Sequence, residues 1–200
     1  EKMGYLVPKG QPLMVSLAGQ PFIDTRLSFH SYLPQGLPHV VGTKLVNEWI
    51  ERLKSNPHLH DKVEFDVAIT TFTFDLDEKI TNLGSSLTKK ERKTFKEKLI
   101  ELFHPLISKD GEGSIKKAFK DIEYLSNLDF PCNSSGPLGL KILIDDCVKY
   151  GTIPFAILAR HGFIAKSLLL SLVSKGIISI EDMNNFLGDI KTIAGDMLDD

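Results

Sequence analysis

The chain has few of the residues whose patterns most readily reveal a function. Its 200 residues include only two cysteines, Cys132 and Cys147, and one tryptophan. Two cysteines do not make a disulfide framework, and neither stands at metal-ligand spacing from a second Cys or His. The composition therefore argues against a disulfide-stabilised secreted domain and a zinc module, and it predicts a reduced, cytoplasmic setting.

Clustered charge and long apolar runs are also scarce. The net charge is −2, and no basic cluster is long enough for a nucleic-acid groove. The densest basic run, 89–93, stands beside acids and is typical of a solvated helix face. No signal peptide is apparent, and the longest apolar run, 167–173, lies between Lys166 and Lys175 and is too short to span a bilayer. We expect neither a nucleic acid nor a membrane as partner.

Familiar catalytic motifs are missing as well. There is no Gly-rich phosphate loop, no G-x-S-x-G elbow and no HExxH pair. His58, His60 and Asp61 form a loop without a third ligand of known geometry, so no metal site is predicted there. Because the chain begins with Glu1 rather than Met, we expect an excised piece of a longer protein, forming a single domain over 1–200.

The remaining composition suits a folded domain with a substantial core, since 42% of residues are apolar and 25% charged. Residues 1–12 are rich in Gly, Pro and Lys and predict a linker. A strand at 13–17 and a turn at 18–21 predict a hairpin. We expect an α+β fold, in which a small antiparallel sheet within a sheet-containing part, 13–80, packs on a helical part, 81–200, of about six helices.

Helical periodicity covers most of the rest. One stripe from Val41 predicts a helix that ends at Asn56-Pro57. Thr88 and Glu91 form a capping-box pattern, Ser114 and Ser179 are candidate helix caps, and the last helix is expected to continue toward Met197. A helix over 138–150 is expected to end at Gly151. Thr152 is then expected to cap a second helix, apolar around most of its circumference and therefore central.

The stretch 20–34 alternates apolar and polar residues and predicts a half-buried strand. One face of that strand would carry Asp24, Arg26, Ser28 and His30, each about 7 Å from the next. A second strand is predicted at 63–75, with its phase slipping near Thr70 because of a bulge or of burial on both faces.

Two interpretations of the polar row stay open. Arg26 could hold a phosphate or carboxylate, with His30 acting as acid, base or donor. Alternatively, Glu64 or Asp66 on the second strand could pair with Arg26, while His30 caps a sheet edge.

Arg160 and His161 interrupt the apolar helix. A buried arginine costs roughly several kcal/mol unless it is paired. We expect Arg160 to reach solvent, an acid such as Asp145 or Asp146, or an anionic ligand or partner domain.

Three segments together resemble one protein family. They are 24–34 (DTRLSFHSYLP), 44–65 (beginning KLVN and ending NPHLHDKVEF) and 154–165 (PFAILARHGFIA), continuing toward 192–195. These segments resemble multidomain phosphotransferases of the phosphoenolpyruvate synthase and pyruvate, phosphate dikinase type, including the glutamine kinases of bacterial capsule pathways. The resemblance covers most of the chain, but only the region between two catalytic parts.

The resemblance implies a central domain that is inactive alone and helps to form the acceptor site or docks a mobile phosphohistidine domain. The implied partners are flanking ATP-grasp and phosphohistidine domains and a small-molecule acceptor, with ATP and Mg²⁺ used by the full-length protein and no cofactor held here. Neither the ATP-grasp segment nor the carrier-histidine motif is present. Candidates for acceptor or phosphate contact are Arg26, His30 and Arg160; the candidate supporting residues are Asp24, Ser28, Glu64, Asp66 and His161.

Two other functions stay open: a non-catalytic scaffold or oligomerisation domain, with helices 138–175 docking flanking domains, and a small-molecule binding module. The sequence does not identify the phosphoryl acceptor.

Overall fold

The computed structural model describes residues 3–82, 86–107, 113–128 and 137–190. The α+β fold is confirmed: the described residues contain a two-stranded antiparallel sheet and eight α-helices. The strands are β1 (Met14–Leu17) and β2 (Gln20–Ile23). The helices are α1 (Thr25–His30), α2 (His39–Ser55), α3 (Leu76–Asn82), α4 (Lys89–Ile107), α5 (Ser114–Ser126), α6 (Pro137–Asp146), α7 (Ile153–Ser174) and α8 (Ile180–Gly188).

The predicted hairpin forms between β1 and β2. Met14 pairs with Ile23 and Leu17 with Gln20, which leaves a two-residue loop of Ala18 and Gly19. Both loop residues have positive φ, 51° and 79°, the geometry that matches the twist of antiparallel strands. All eight strand residues are exposed, so the hairpin lies on the surface.

The strand predicted over 20–34 ends at Ile23, and α1 follows it. Asp24 caps this helix, because its Oδ1 accepts a hydrogen bond from the Leu27 amide at 2.9 Å. Phe29 and Leu33, which an alternating pattern places on one strand face, are also four residues apart and are both buried. The prediction of a single polar strand face carrying Asp24, Arg26, Ser28 and His30 was therefore wrong.

The main core forms where α1, α2, α3 and α4 meet. Trp49 of α2 is fully buried, and its ring meets Phe29 edge to face at a centroid distance of 6.0 Å. Phe95 and Leu99 of α4 complete the same cluster. The stripe predicted for α2 is confirmed at Trp49.

The strand predicted over 63–75 is also absent. Val63–Val67 instead forms a π-helical turn, in which the Ala68 amide donates to the Val63 carbonyl at 2.8 Å. Residues 68–73 then run without regular secondary structure; Thr70, Thr71 and Thr73 are buried, and Phe72 is partly buried. Neither reason considered for the phase slip, a bulge or a strand buried on both faces, applies, because this segment does not form a strand.

The helices predicted on either side of Gly151 form one continuous helix, Pro137–Ser174, of 38 residues. A π-helical segment, Cys147–Thr152, joins α6 to α7, so the expected caps at Gly151 and Thr152 were wrong. A Cβ on Gly151 would lie 3.1 Å from Leu125 Cδ2 of α5. The glycine therefore permits close packing of two helices and does not end one.

The expectation that this helix is central was wrong. Only 17% of its most apolar 18-residue window is buried, although that window has a mean hydropathy of 1.5. By length and composition alone the helix could cross a membrane, which for a single helix is weak evidence. Ile164 and Ser171 of α7 are buried against the rest of the chain, and the Ser171 Oγ accepts from the Phe74 amide at 3.2 Å.

Of the caps predicted at Thr88, Ser114 and Ser179, the first and the last are confirmed. Thr88 Oγ1 accepts from the Glu91 amide at 3.2 Å while Glu91 accepts from the Thr88 amide at 2.8 Å. Ser179 forms the corresponding capping box with Asp182. Ser114 is not a cap, because α5 begins after Gly113. The predictions for Cys132 and for a helix extending to Met197 lie outside the described residues.

Candidate functional site

The candidate site is an open cleft of about 420 Å³ between α1 and residues 6–11. Its polar lining includes Lys9, Gln11, Asp24, Arg26 and His30. Three of these residues can carry positive charge and one is an acid, so the cleft favours an anion.

Arg26 is held by a neutral partner. Its Nη1 donates to Asn47 Oδ1 of α2 at 2.7 Å, and no ion pair to Arg26 occurs among the described residues. The predicted alternative, pairing with Glu64 or Asp66, was therefore wrong. The bond to Asn47 orients the guanidinium without neutralising it, which leaves further N–H groups for a ligand.

His30 lies one helical turn after Arg26, so the two side chains share a face of α1. His30 Nδ1 lies 2.8 Å from the Arg26 carbonyl oxygen. Because that oxygen only accepts, Nδ1 carries the proton and Nε2 is left to accept a proton or, when protonated, to donate one. Helical geometry, rather than the predicted strand, brings Arg26, His30 and Asp24 to one cleft.

Lys9 is the cleft residue that sequence reasoning missed. It belongs to 1–12, the predicted linker, yet this segment is anchored at residues 4–6. The Leu6 amide donates to the Leu33 carbonyl at 2.7 Å, and the Gln35 amide donates to the Gly4 carbonyl at 2.8 Å. These backbone bonds carry the chain past α1, and a short segment rich in Gly, Pro and Lys has no apolar periodicity that could have revealed them.

The structure places Ser28, Glu64, Asp66, Arg160 and His161 away from this cleft. Ser28 and Glu64 line a second opening of about 410 Å³ with Tyr32. Asp66 is exposed beside another cavity.

Arg160 is engaged in an internal network and is only 12% exposed. Its Nη1 donates to Glu64 Oε2 at 2.7 Å, and its Nη2 donates to the Tyr5 hydroxyl at 2.7 Å and to the Thr70 carbonyl at 3.2 Å. Asp145, one of the expected partners, pairs with Lys141 instead. We interpret Arg160 as a structural clamp between α7, the π-helical turn and the N-terminal segment.

His161 is bound to α5. Its Nε2 lies 2.7 Å from the Ser114 hydroxyl, and burial lowers the pKa of the imidazole below its usual value. The Nε2 atom of a neutral imidazole can accept a hydrogen bond from the Ser114 hydroxyl, so this pair links α5 to α7.

Metal binding is not indicated in the part of the chain that the structure describes, where no group of three or more His, Cys, Asp or Glu side chains could hold an ion. No protein-family model matches the chain, and neither a curated protein nor a solved structure matches it.

Proposed function

We propose that this chain is the central domain of an ATP-dependent phosphotransferase of the phosphoenolpyruvate synthase type, and that its Lys9–Arg26–His30 cleft contacts the transferred phosphoryl group or its acceptor. The observation that carries the proposal is the position of Arg26. It lines an open cleft with two other basic residues and is oriented by a neutral amide. A guanidinium held in this way can bind two oxygens of a phosphoryl group at once.

The chemistry assigned to the cleft is positioning and charge stabilisation. Arg26 and Lys9 balance the charge of the phosphoryl group, and His30 Nε2 donates or accepts one proton at an oxygen of the ligand. The ATP, the Mg²⁺ and the carrier histidine belong, in this proposal, to flanking parts of a longer polypeptide. The cytoplasmic location and the resemblance to this class are part of the same proposal.

Kinetics of the longer polypeptide that contains this chain test the proposal. Arg26→Gln should lower kcat/KM for phosphoryl transfer about tenfold or more, because a charged hydrogen bond contributes about 1.5–3 kcal/mol. Asn47→Ala is the matched control, since it removes the same internal hydrogen bond but leaves the charge in place. Equal Tm values and unequal kcat/KM values for the two variants support the contact.

Two results would reject it. If the longer polypeptide does not transfer phosphoryl groups from ATP, the assignment to this class fails. If Arg26→Gln and Asn47→Ala have equal kinetic effects, Arg26 is only a structural link between α1 and α2.

A second candidate function is docking of a flanking domain of the same polypeptide on the helix 137–174. It is favoured by the apolar residues that this helix exposes, among them Leu138 at 73%, Phe155 at 69% and Leu140 at 60%. Large apolar side chains exposed along one helix favour an interaction site. Leu140→Asp should weaken association with the flanking domain. Lys141→Ala, at the next position of the same helix, should not.

The two functions make different predictions for the same enzyme. If the chain is a scaffold, Leu140→Asp weakens association of the flanking domain, and Arg26→Gln leaves the turnover of the longer polypeptide unchanged. A phosphoryl-contact domain loses turnover with Arg26→Gln while its domains stay associated.

A further inference from the structure

A separate polar cavity adjoins the π-helical turn Val63–Val67. It has a volume of about 240 Å³ and lies against residues 64–71, with Thr73, Ser167 and Arg52 also in its wall. It shares no lining residue with the Lys9–Arg26–His30 cleft. This volume equals that of about eight water molecules at about 30 Å³ each, which suits a small metabolite.

One buried hydroxyl in the wall has no internal partner. Thr71 is 3% exposed, and its Oγ1 has no hydrogen-bond partner within the described ranges. A buried polar atom without a partner costs about 1–3 kcal/mol, so such atoms usually serve a ligand or an ordered water. Thr70 and Thr73 supply further buried polar groups beside it.

Two opposite charges in the same wall are also unpaired. Arg52 of α2 and Asp66 of the π-helical turn both line the cavity, and neither forms an ion pair with any residue that the structure describes. The other two charged residues of the wall, Glu64 and Lys79, have partners within the chain. Glu64 binds Arg160, and Lys79 lies 3.1 Å from Asp75. The cavity wall therefore contains one exposed cation and one exposed anion, neither with an ion-pair partner among the described residues.

The π-helical turn explains how Asp66 reaches this position. Its wider backbone places Glu64 toward Arg160 while Asp66 stays at the cavity mouth. Single π-helical turns of this kind occur frequently at functional sites.

We propose that this cavity binds a small zwitterion, a molecule of about ten non-hydrogen atoms with one carboxylate and one ammonium group. The carboxylate pairs with Arg52, the ammonium group pairs with Asp66, and a polar group of the ligand bonds the Thr71 hydroxyl. The inference concerns a site distinct from the phosphoryl-contact cleft and does not depend on that function.

Thermal shift of the 200-residue chain tests the site with matched probes. The common L-amino acids are added one at a time, beginning with alanine, which is compared with lactate and ethylamine, each lacking one of its two charges. A zwitterion that binds should raise Tm by about 5 °C or more at a concentration 100 times its Kd. Lactate and ethylamine should produce no shift.

Three variants locate the binding. Arg52→Gln and Asp66→Asn should abolish the shift, while Lys54→Gln, two residues from Arg52 on α2, should keep it. Thr71→Val should weaken binding and leave the ligand-free Tm equal or higher, because it removes an unpartnered buried hydroxyl without changing the volume much.

The proposal is overturned if none of the L-amino acids shifts the wild-type Tm, or if lactate or ethylamine shifts it as much as alanine does. It is also overturned if the shift persists in both Arg52→Gln and Asp66→Asn. None of these outcomes bears on phosphoryl transfer, so the two proposals fail independently.

Discussion

Arg160 and Glu64 are joined by a hydrogen-bonded ion pair of 2.7 Å although they are 96 positions apart in the chain. The pair links α7 to the π-helical turn Val63–Val67. The same guanidinium also holds Tyr5, so three distant segments meet at one side chain. Removing one partner of this largely buried pair would leave the other charge uncompensated, which costs more than the loss of an exposed ion pair on a helix surface.

Removing the Arg160 guanidinium should be strongly destabilising. We expect Arg160→Met to lower the free energy of unfolding by about 3 kcal/mol, because it leaves the Glu64 carboxylate without its cation and removes the donor to the Tyr5 hydroxyl oxygen. Lys141→Met is the control: it removes an exposed pair from the same long helix and should cost less than about 1 kcal/mol. Urea unfolding measures both, and equal losses would show that Arg160 is not a clamp.

Two helical glycines should respond in opposite directions to replacement by alanine. A Cβ on Gly42 would lie 2.8 Å from Leu33 Cδ1 in the core, so Gly42→Ala should destabilise by about 1–3 kcal/mol. A Cβ on Gly162 would meet nothing within 4 Å, so Gly162→Ala should stabilise α7 by up to about 1 kcal/mol. Differential scanning calorimetry should show Tm shifts of opposite sign, and a gain in Tm for Gly42→Ala would contradict the close packing of Leu33 on α2.

Glu91 should make stability depend on pH in the acid range. Hydrogen bonds from Lys44 and from the Thr88 amide lower the pKa of this carboxyl from 4.5 to about 2. Because the pKa is depressed in the folded state, the stabilisation is fully present above about pH 4.5 and is lost as the pH falls toward 2.

Glu91→Gln should therefore destabilise the chain at pH 7 and have a smaller effect at pH 3. Chemical unfolding of both proteins at the two pH values, followed by the fluorescence of the buried Trp49, measures the difference. An equal difference at both pH values would mean that the ionised carboxylate does not contribute.

The sequence predicted the elements whose signals are local. The stripe through Val41, Leu45 and Trp49 predicted α2, and the Thr88–Glu91 pattern predicted the start of α4; in both cases the apolar periodicity or the capping pair is contained within a few turns. The sequence signal for the hairpin loop at Ala18 and Gly19 likewise lay within the loop itself.

The wrong predictions fall where the same residues fit both a strand and a helix period, or where a contact with a residue distant in the sequence determines the structure. Phe29 and Leu33 satisfy both a two-residue and a four-residue spacing, and the Asp24 cap selects the helix. Gly151 suggested a helix end, but the reason for a glycine at this position is the close approach of Leu125. Glu64 was one of two possible partners considered for Arg26, whereas it binds Arg160 of α7, and no local pattern in the sequence indicates where α7 packs.

The candidate cleft was predicted in part. Arg26 and His30 were chosen for their chemistry, and the structure brings them together by a helical turn in place of a strand face. Lys9 could not be predicted, because backbone bonds of Leu6 and Gln35 bring its segment to α1.

Binding of inorganic phosphate to the 200-residue chain, followed by NMR at low ionic strength, tests the central claim most directly. We predict saturable binding to the wild type and to Asn47→Ala, and an affinity reduced about tenfold or more in Arg26→Gln. Chemical-shift changes should centre on Lys9, Arg26 and His30. Phosphate binding that is equal in the wild type and Arg26→Gln, or that is absent from the wild type, would contradict the claim that this cleft contacts a phosphoryl group.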